Sequence, residues 1–164
     1  MKKTKLRALI IVFCTVLAIA IILLFINNIN NKNEISNKII EYINNNRDEN
    51  NTCRFSMSDV TDFKWDKMLI YQVGSSNKEI SNLLGVPFND SLDLASGIIF
   101  VYNNKIVYKE QLFYNPDRPD KLLLYIGTLY DQPEYGLFTP NNALFEGIRE
   151  ESDENISYQI IPAY

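Results

Sequence analysis

Residues 8–26 read ALIIVFCTVLAIAIILLFI, nineteen positions without a charge. A helix of that length rises about 28 Å, close to the ~30 Å hydrocarbon thickness of a bilayer. Fourteen of the nineteen are Leu, Ile, Val or Phe. At about −0.4 kcal/mol each, they favour membrane insertion by roughly 6 kcal/mol. Lys2, Lys3, Lys5 and Arg7 precede this stretch with no acid among them. Cytoplasmic flanks retain positive charge, so these four residues are expected to stay inside and the remaining chain to lie outside. The reading is a cytoplasmic tail over 1–7 and a single transmembrane anchor over 8–26, in contact with the lipid bilayer.

A cleaved signal peptide is the competing reading. Ala18-Ile19-Ala20 has the small-x-small form of a cleavage site, and cleavage near Ala20 would give a secreted protein. Six large apolar residues, Ile21 through Ile26, follow at once, and cleavage would leave them as a greasy new N-terminus. The uncleaved anchor is therefore preferred. Cys14 follows Phe13 rather than a small residue, which argues against a lipid-modified cysteine.

Charge sharpens the division. The chain holds 16 Lys+Arg and 20 Asp+Glu. Beyond residue 26 the balance is 12 bases against 20 acids, or 12 − 20 = −8. Nucleic-acid affinity rests on clustered Lys and Arg, so an acidic body excludes that partner class. The chain has no histidine, which removes the commonest general base and zinc ligand. Two cysteines cannot build a disulfide scaffold or a Cys₄ site. No cofactor or metal is expected.

Residues 27–52 read as a stalk or linker. Eleven of the 25 residues from 27 to 51 are Asn, taken as coding bias rather than function. Within it Ile35, Ile39, Ile40 and Ile43 recur at helical spacing, predicting a short amphipathic helix over 32–46. Glu34 and Lys38 stand four apart in the favourable order. The Ile stripe needs a partner: the folded domain, the bilayer surface, or a second copy in a stalk-mediated homodimer.

Residues 53–164 are expected to form the folded, extracytoplasmic domain, long enough for one core. Residues 66–73 (DKMLIYQV) predict a strand. Ser76 with Glu79 three positions on makes a capping box, Ile80, Leu83 and Leu84 form an apolar face, and Gly85 then Pro87 end the helix. Residues 97–102 and 105–113 flank Asn103-Asn104, a two-residue hairpin turn. The first arm is apolar on both faces, as a central strand would be. The second alternates Lys109 and Gln111 with Tyr108 and Leu112. Residues 121–130 predict another strand, with Gly127 as a bulge, and 143–149 with 156–161 a final hairpin. The expected class is α+β: a transmembrane helix, then one short helix on a mostly antiparallel sheet of five or six strands.

The stretch from Asp62 to Met68 (DFKWDKM), followed by Glu79-Ile80 and Leu83-Leu84-Gly85, resembles small membrane-anchored or secreted proteins of low-GC bacteria. The piece from Ser76 to Pro87 (SNKEISNLLGVP) is also remotely similar to the helix ending of BamE-like and β-lactamase-inhibitor-protein-like domains. That resemblance implies a small helix-plus-sheet module that binds other proteins outside the cytoplasm. It transfers no catalytic residue.

Chemistry-bearing patterns are sparse. Cys53 has no histidine to activate it, leaving a spectator thiol or an intermolecular disulfide. Asp59, Asp62 and Asp66 would align on a helix, but their segment reads as turn and strand, where they form turns and caps. The acids Glu150, Glu151, Asp153 and Glu154 lack the spacing of a calcium loop and read as a solvated hairpin tip. Trp65 is either a recognition anchor or core filling. Tyr102, Tyr108 and Tyr125, within a Tyr-rich region, are candidates for a binding face on a sheet. The expectation is a domain that binds a protein or another envelope component and is not an enzyme, with Trp65, Tyr102, Tyr108 and Tyr125 as candidate contacts. The alternative is a carboxylate-dependent enzyme using Asp62, Asp66, Asp117 or Asp120.

Overall fold

The computed structural model describes residues 34–113, 122–127, 135–152 and 155–163. The chain divides into two compact units, Met1–Glu34 and Ile35–Tyr164. The expected anchor, residues 8–26, lies outside the described residues. Among the described residues no helix is long and apolar enough to cross a membrane.

The described residues form two helices, a 3-10 turn and eight strands. Helix α1 spans Glu34–Asn46, followed by β1 (Thr52–Ser56), a 3-10 turn (Met57–Asp59) and β2 (Lys67–Tyr71). Helix α2 (Asn77–Leu84) precedes the hairpin of β3 (Ala95–Tyr102) and β4 (Lys105–Phe113). Then come β5 (Leu122–Leu124), β6 (Tyr135–Phe138), β7 (Leu144–Glu151) and β8 (Ile156–Pro162). The α+β class holds, but the expected single sheet is two sheets of four strands, with orders β1-β7-β8-β5 and β4-β3-β2-β6. All pairs are antiparallel except β5 with β8.

Local chemistry explains the elements that the sequence anticipates. Ser76 caps α2, its Oγ accepting the Glu79 N–H, and Gly85 closes the helix at φ +73°, a conformation that only glycine adopts without cost. Asn103 and Asn104 both take positive φ, as the tight β3–β4 turn requires. In β4 the register shifts opposite Phe100 and Val101, so that Val107 is the extra residue of a bulge. β3 lies between β2 and β4 and is buried along nearly its whole length. Of the strand expected over 121–130, Leu122–Leu124 is observed as β5, and residues 128–130 lie outside the described residues. β1 and β6 were not expected; both are short, β1 with Cys53 and Phe55 alternating inward and β6 with no such alternation.

The two sheets face each other across one core. Met68, Ile70, Ile98, Phe100, Leu112 and Phe138 from one sheet join Cys53, Phe55, Phe145, Tyr158, Ile160 and Leu124 from the other in a single buried cluster. Ile80 and Leu84 of α2 pack on the opposite face of the β4-β3-β2-β6 sheet, over Leu69, Tyr71, Ile99 and Val101. This gives three layers: α2, sheet, sheet.

Helix α1 belongs to this core, which moves the boundary expected at residue 53. Ile35, Ile39 and Ile43 are 1%, 0% and 0% exposed, and all three are members of the inter-sheet cluster. The helix touches both sheets. At its start the Ile35 N–H donates to the Tyr108 hydroxyl of β4. Near its end Tyr42 packs on Phe55 of β1, and Tyr158 of β8 donates to the Asn44 side chain. Gly147 of β7 permits the close approach, since a Cβ there would stand 2.6 Å from the Ile43 side chain. Of the three partners open to the Ile stripe, the folded unit itself takes it. The stripe thus gives no argument for a stalk-mediated dimer.

Candidate functional site

The residues singled out from the sequence do not converge. Trp65 is buried, 7% exposed, with its ring edge-on to Phe100 and its Nε1–H donating to Thr61 Oγ1. It fills the core and is not available as a surface anchor. Tyr108 is half-buried against the same core, stacked on Phe63. Tyr102 ends β3, and Tyr125 follows β5 in the other sheet, where its N–H donates to the Ile160 carbonyl. The three tyrosines form no common face.

The carboxylates are used singly. Asp59 accepts the Ser56 N–H at 2.8 Å, closing a capping box on the 3-10 turn. Asp62 pairs with Lys38 of α1 at 3.3 Å. Asp66 accepts the Asn103 N–H at 2.8 Å, holding the end of the β3–β4 hairpin. Asp59 and Asp66 thus take the turn and capping roles expected of their segment, whereas Asp62 makes an ion pair. Asp117 and Asp120 lie outside the described residues. Cys53 is buried and unpaired, and its thiol is pushed up in pKa chiefly by that burial. In the acidic hairpin Glu151 pairs with Arg149, while Asp153 and Glu154 lie outside the described residues. Among the described residues no group of three or more Cys, Asp or Glu side chains could hold a metal ion.

Two features went unanticipated. The first is Glu110, 3% exposed although it is a carboxylate. Its Oε2 accepts the Tyr108 hydroxyl at 2.8 Å and the Ser36 N–H of α1 at 3.2 Å, while Oε1 makes no hydrogen bond. The first N–H groups of a helix have no partner within it and carry the positive end of its dipole. Glu110 and Tyr108 supply those partners from a strand 74 and 73 positions away in sequence. This is a tertiary N-cap that fastens α1 to the β4 edge. A signal was present: Tyr108, Glu110 and Leu112 form the inward row of β4, with Glu at its centre.

The second is the outer edge of β6. Leu137 there is 45% exposed, and Leu83 of the neighbouring helix α2 is 37% exposed. The strand lines a cavity of about 420 Å³ together with residues that include Ile126, Asn141, Asn142 and Leu144. At the Tyr135 end of the strand, Glu79 accepts the Ser76 Oγ–H at 2.6 Å and the Tyr135 hydroxyl at 2.8 Å. Those two hydrogen bonds, Ser76 first, hold the exposed Glu79 carboxyl below its ordinary pKa. A second groove, of about 330 Å³, lies between α1 and residues 59–62, with Lys38, Glu41, Asp59 and Asp62 among its lining residues.

Compared with models of protein families, with curated proteins and with solved structures, this chain matches none.

Proposed function

We propose that the chain is a single-pass membrane protein whose folded unit lies outside the cytoplasm and binds a protein or another envelope component. The observation that carries this reading is the uncharged stretch over 8–26, directly preceded by Lys2, Lys3, Lys5 and Arg7. Binding rather than catalysis is favoured because Asp59, Asp62 and Asp66 are each committed to a separate structural contact. The remote likeness of residues 76–87 to BamE-like and inhibitor-protein-like domains points the same way.

Protease treatment of intact cells tests the topology. The folded unit is expected to be digested while a short N-terminal fragment survives, and a protected folded unit would overturn the assignment. The mass of the mature chain distinguishes the anchored form from one cleaved near Ala20. Affinity capture of the intact chain from its own membrane, with mass spectrometry, tests binding.

A further inference from the structure

Sheet edges are where a β fold is open to other chains, because their outward N–H and C=O groups have no partner in the sheet. The four edges of this molecule differ. β4 carries the bulge at Val107 and exposed Lys105 and Lys109, and the start of α1 is fastened to it. β1 carries the exposed Arg54, and Tyr42 of α1 packs on its Phe55. β5 has three residues. Bulges, lysines and covering helices are the usual devices that blunt an edge.

Among the described residues β6 has no bulge, no lysine and no covering helix, although at four residues it is nearly as short as β5. Tyr135–Phe138 reads YGLF, without charge, proline or bulge, and pairs in register with β2 along one side only. In an antiparallel ladder, alternate residues aim their N–H and C=O groups away from the partner strand. All four residues of β6 line the 420 Å³ cavity.

Helix α2 adds a wall. Its first turn reaches β6 through Glu79 and Tyr135, and its last turn reaches the start of β2, where the Leu84 carbonyl accepts from Lys67. β6 is antiparallel to β2, so α2 and β6 run in the same direction. Leu83, one turn after Glu79, therefore lies level with Leu137, two residues after Tyr135. The described residues lining the cavity carry no charge, and the Glu79 carboxylate stands at its Tyr135 end.

We propose that β6 accepts an added strand: an extended segment of a partner protein, apolar at alternate positions, with Lys or Arg where it passes Glu79. This deepens the binding function proposed above and rests on it. Backbone pairing would supply the affinity, and Leu83, Leu137 and the cavity would select the side chains.

The test uses the full chain in detergent and three synthetic nine-residue peptides. The first alternates Val or Leu with Thr and has Lys at one end; the second has Glu in place of Lys; the third has proline at two central positions. The Lys peptide is expected to bind by fluorescence anisotropy and to slow amide exchange at residues 135–138 at least tenfold. The Glu peptide should bind several-fold more weakly, and the proline peptide, lacking two N–H donors, at least tenfold more weakly. Leu137→Asp should abolish binding; if that variant does not fold, the three peptides on the unaltered chain still decide. Equal binding of the proline peptide, or protection elsewhere, would overturn the proposal. So would slow exchange at 135–138 before any peptide is added, in a monomer or a dimer. Affinity capture separates the two levels. Loss of captured proteins with a folded Leu137→Asp chain supports the β6 site, and an unchanged set overturns it while leaving the binding reading intact. No captured protein with the unaltered chain overturns the binding reading itself.

Discussion

Glu110 occupies the inward row of an edge strand, where a carboxylate is costly unless its bonds are met. Here it accepts from Tyr108 and from the Ser36 N–H, in the region where a helix terminus is most favourable to negative charge. Hydrogen bonds to a charged group are worth about 1.5–3 kcal/mol each. Glu110→Ala is expected to lower unfolding free energy by about that amount per bond lost, read from urea melts. Glu110→Gln keeps an acceptor oxygen and should recover part of the loss. Equal stability of all three chains would remove the tertiary cap from the account. From the sequence alone, Glu110 is one acid among twenty. Its alternation with Tyr108 and Leu112 places it inward, but nothing local says that a helix terminus will meet it there.

Helix α2 shows how far local signals reach. Ser76, Glu79 and Gly85 fixed both of its ends correctly because capping involves residues three or four apart. The tertiary structure then modified the box: the Ser76 N–H donates to the Tyr135 hydroxyl, which in turn donates to Glu79. Hydrogen bonds from Ser76 and Tyr135 place the folded pKa of Glu79 below its ordinary 4.5. A carboxyl with a depressed folded pKa contributes stability above its unfolded pKa and loses it as pH falls through the folded value. Urea melts at pH 7 and at successively lower pH below 4.5 should therefore show an acid loss that Glu79→Gln reduces. An unchanged acid limb in the variant would show that these hydrogen bonds carry no linkage. Helix α1 is the complementary case. Its periodicity predicted the element to within two residues at its start, yet the same stripe suited a bilayer surface or a second copy equally well. Only the burial of Ile35, Ile39 and Ile43 between the sheets identifies its partner.

At the scale of the whole molecule, α1 is a structural member of the fold. Removing one buried isoleucine costs about 2–5 kcal/mol. Three such residues compare with a total stability of about 5–15 kcal/mol for a domain of ordinary size. Deleting residues 34–46 from the full chain is thus expected to abolish the near-ultraviolet dichroism and cooperative melting of the remainder. A deleted chain that still melts cooperatively would return α1 to the status of a linker.

The sequence by itself determined the segments whose signals are short-range. These are α2 with its caps, the Asn103-Asn104 turn, the β7–β8 hairpin, the amphipathic period of α1 and the charge-flanked apolar stretch over 8–26. Each rests on residues within a few positions of one another, or on a sum over one run. The tertiary structure decided which strands pair, and so divided eight strands into two sheets instead of one. It also decided where the Ile stripe of α1 goes, why Glu110 is inside, and that Trp65 and Tyr108 serve the core. Those outcomes depend on contacts between residues many tens of positions apart, such as Ser36 with Glu110 and Ile43 with Gly147. A period or a cap shows that a face is apolar or an end is closed. It does not name the distant group that completes it.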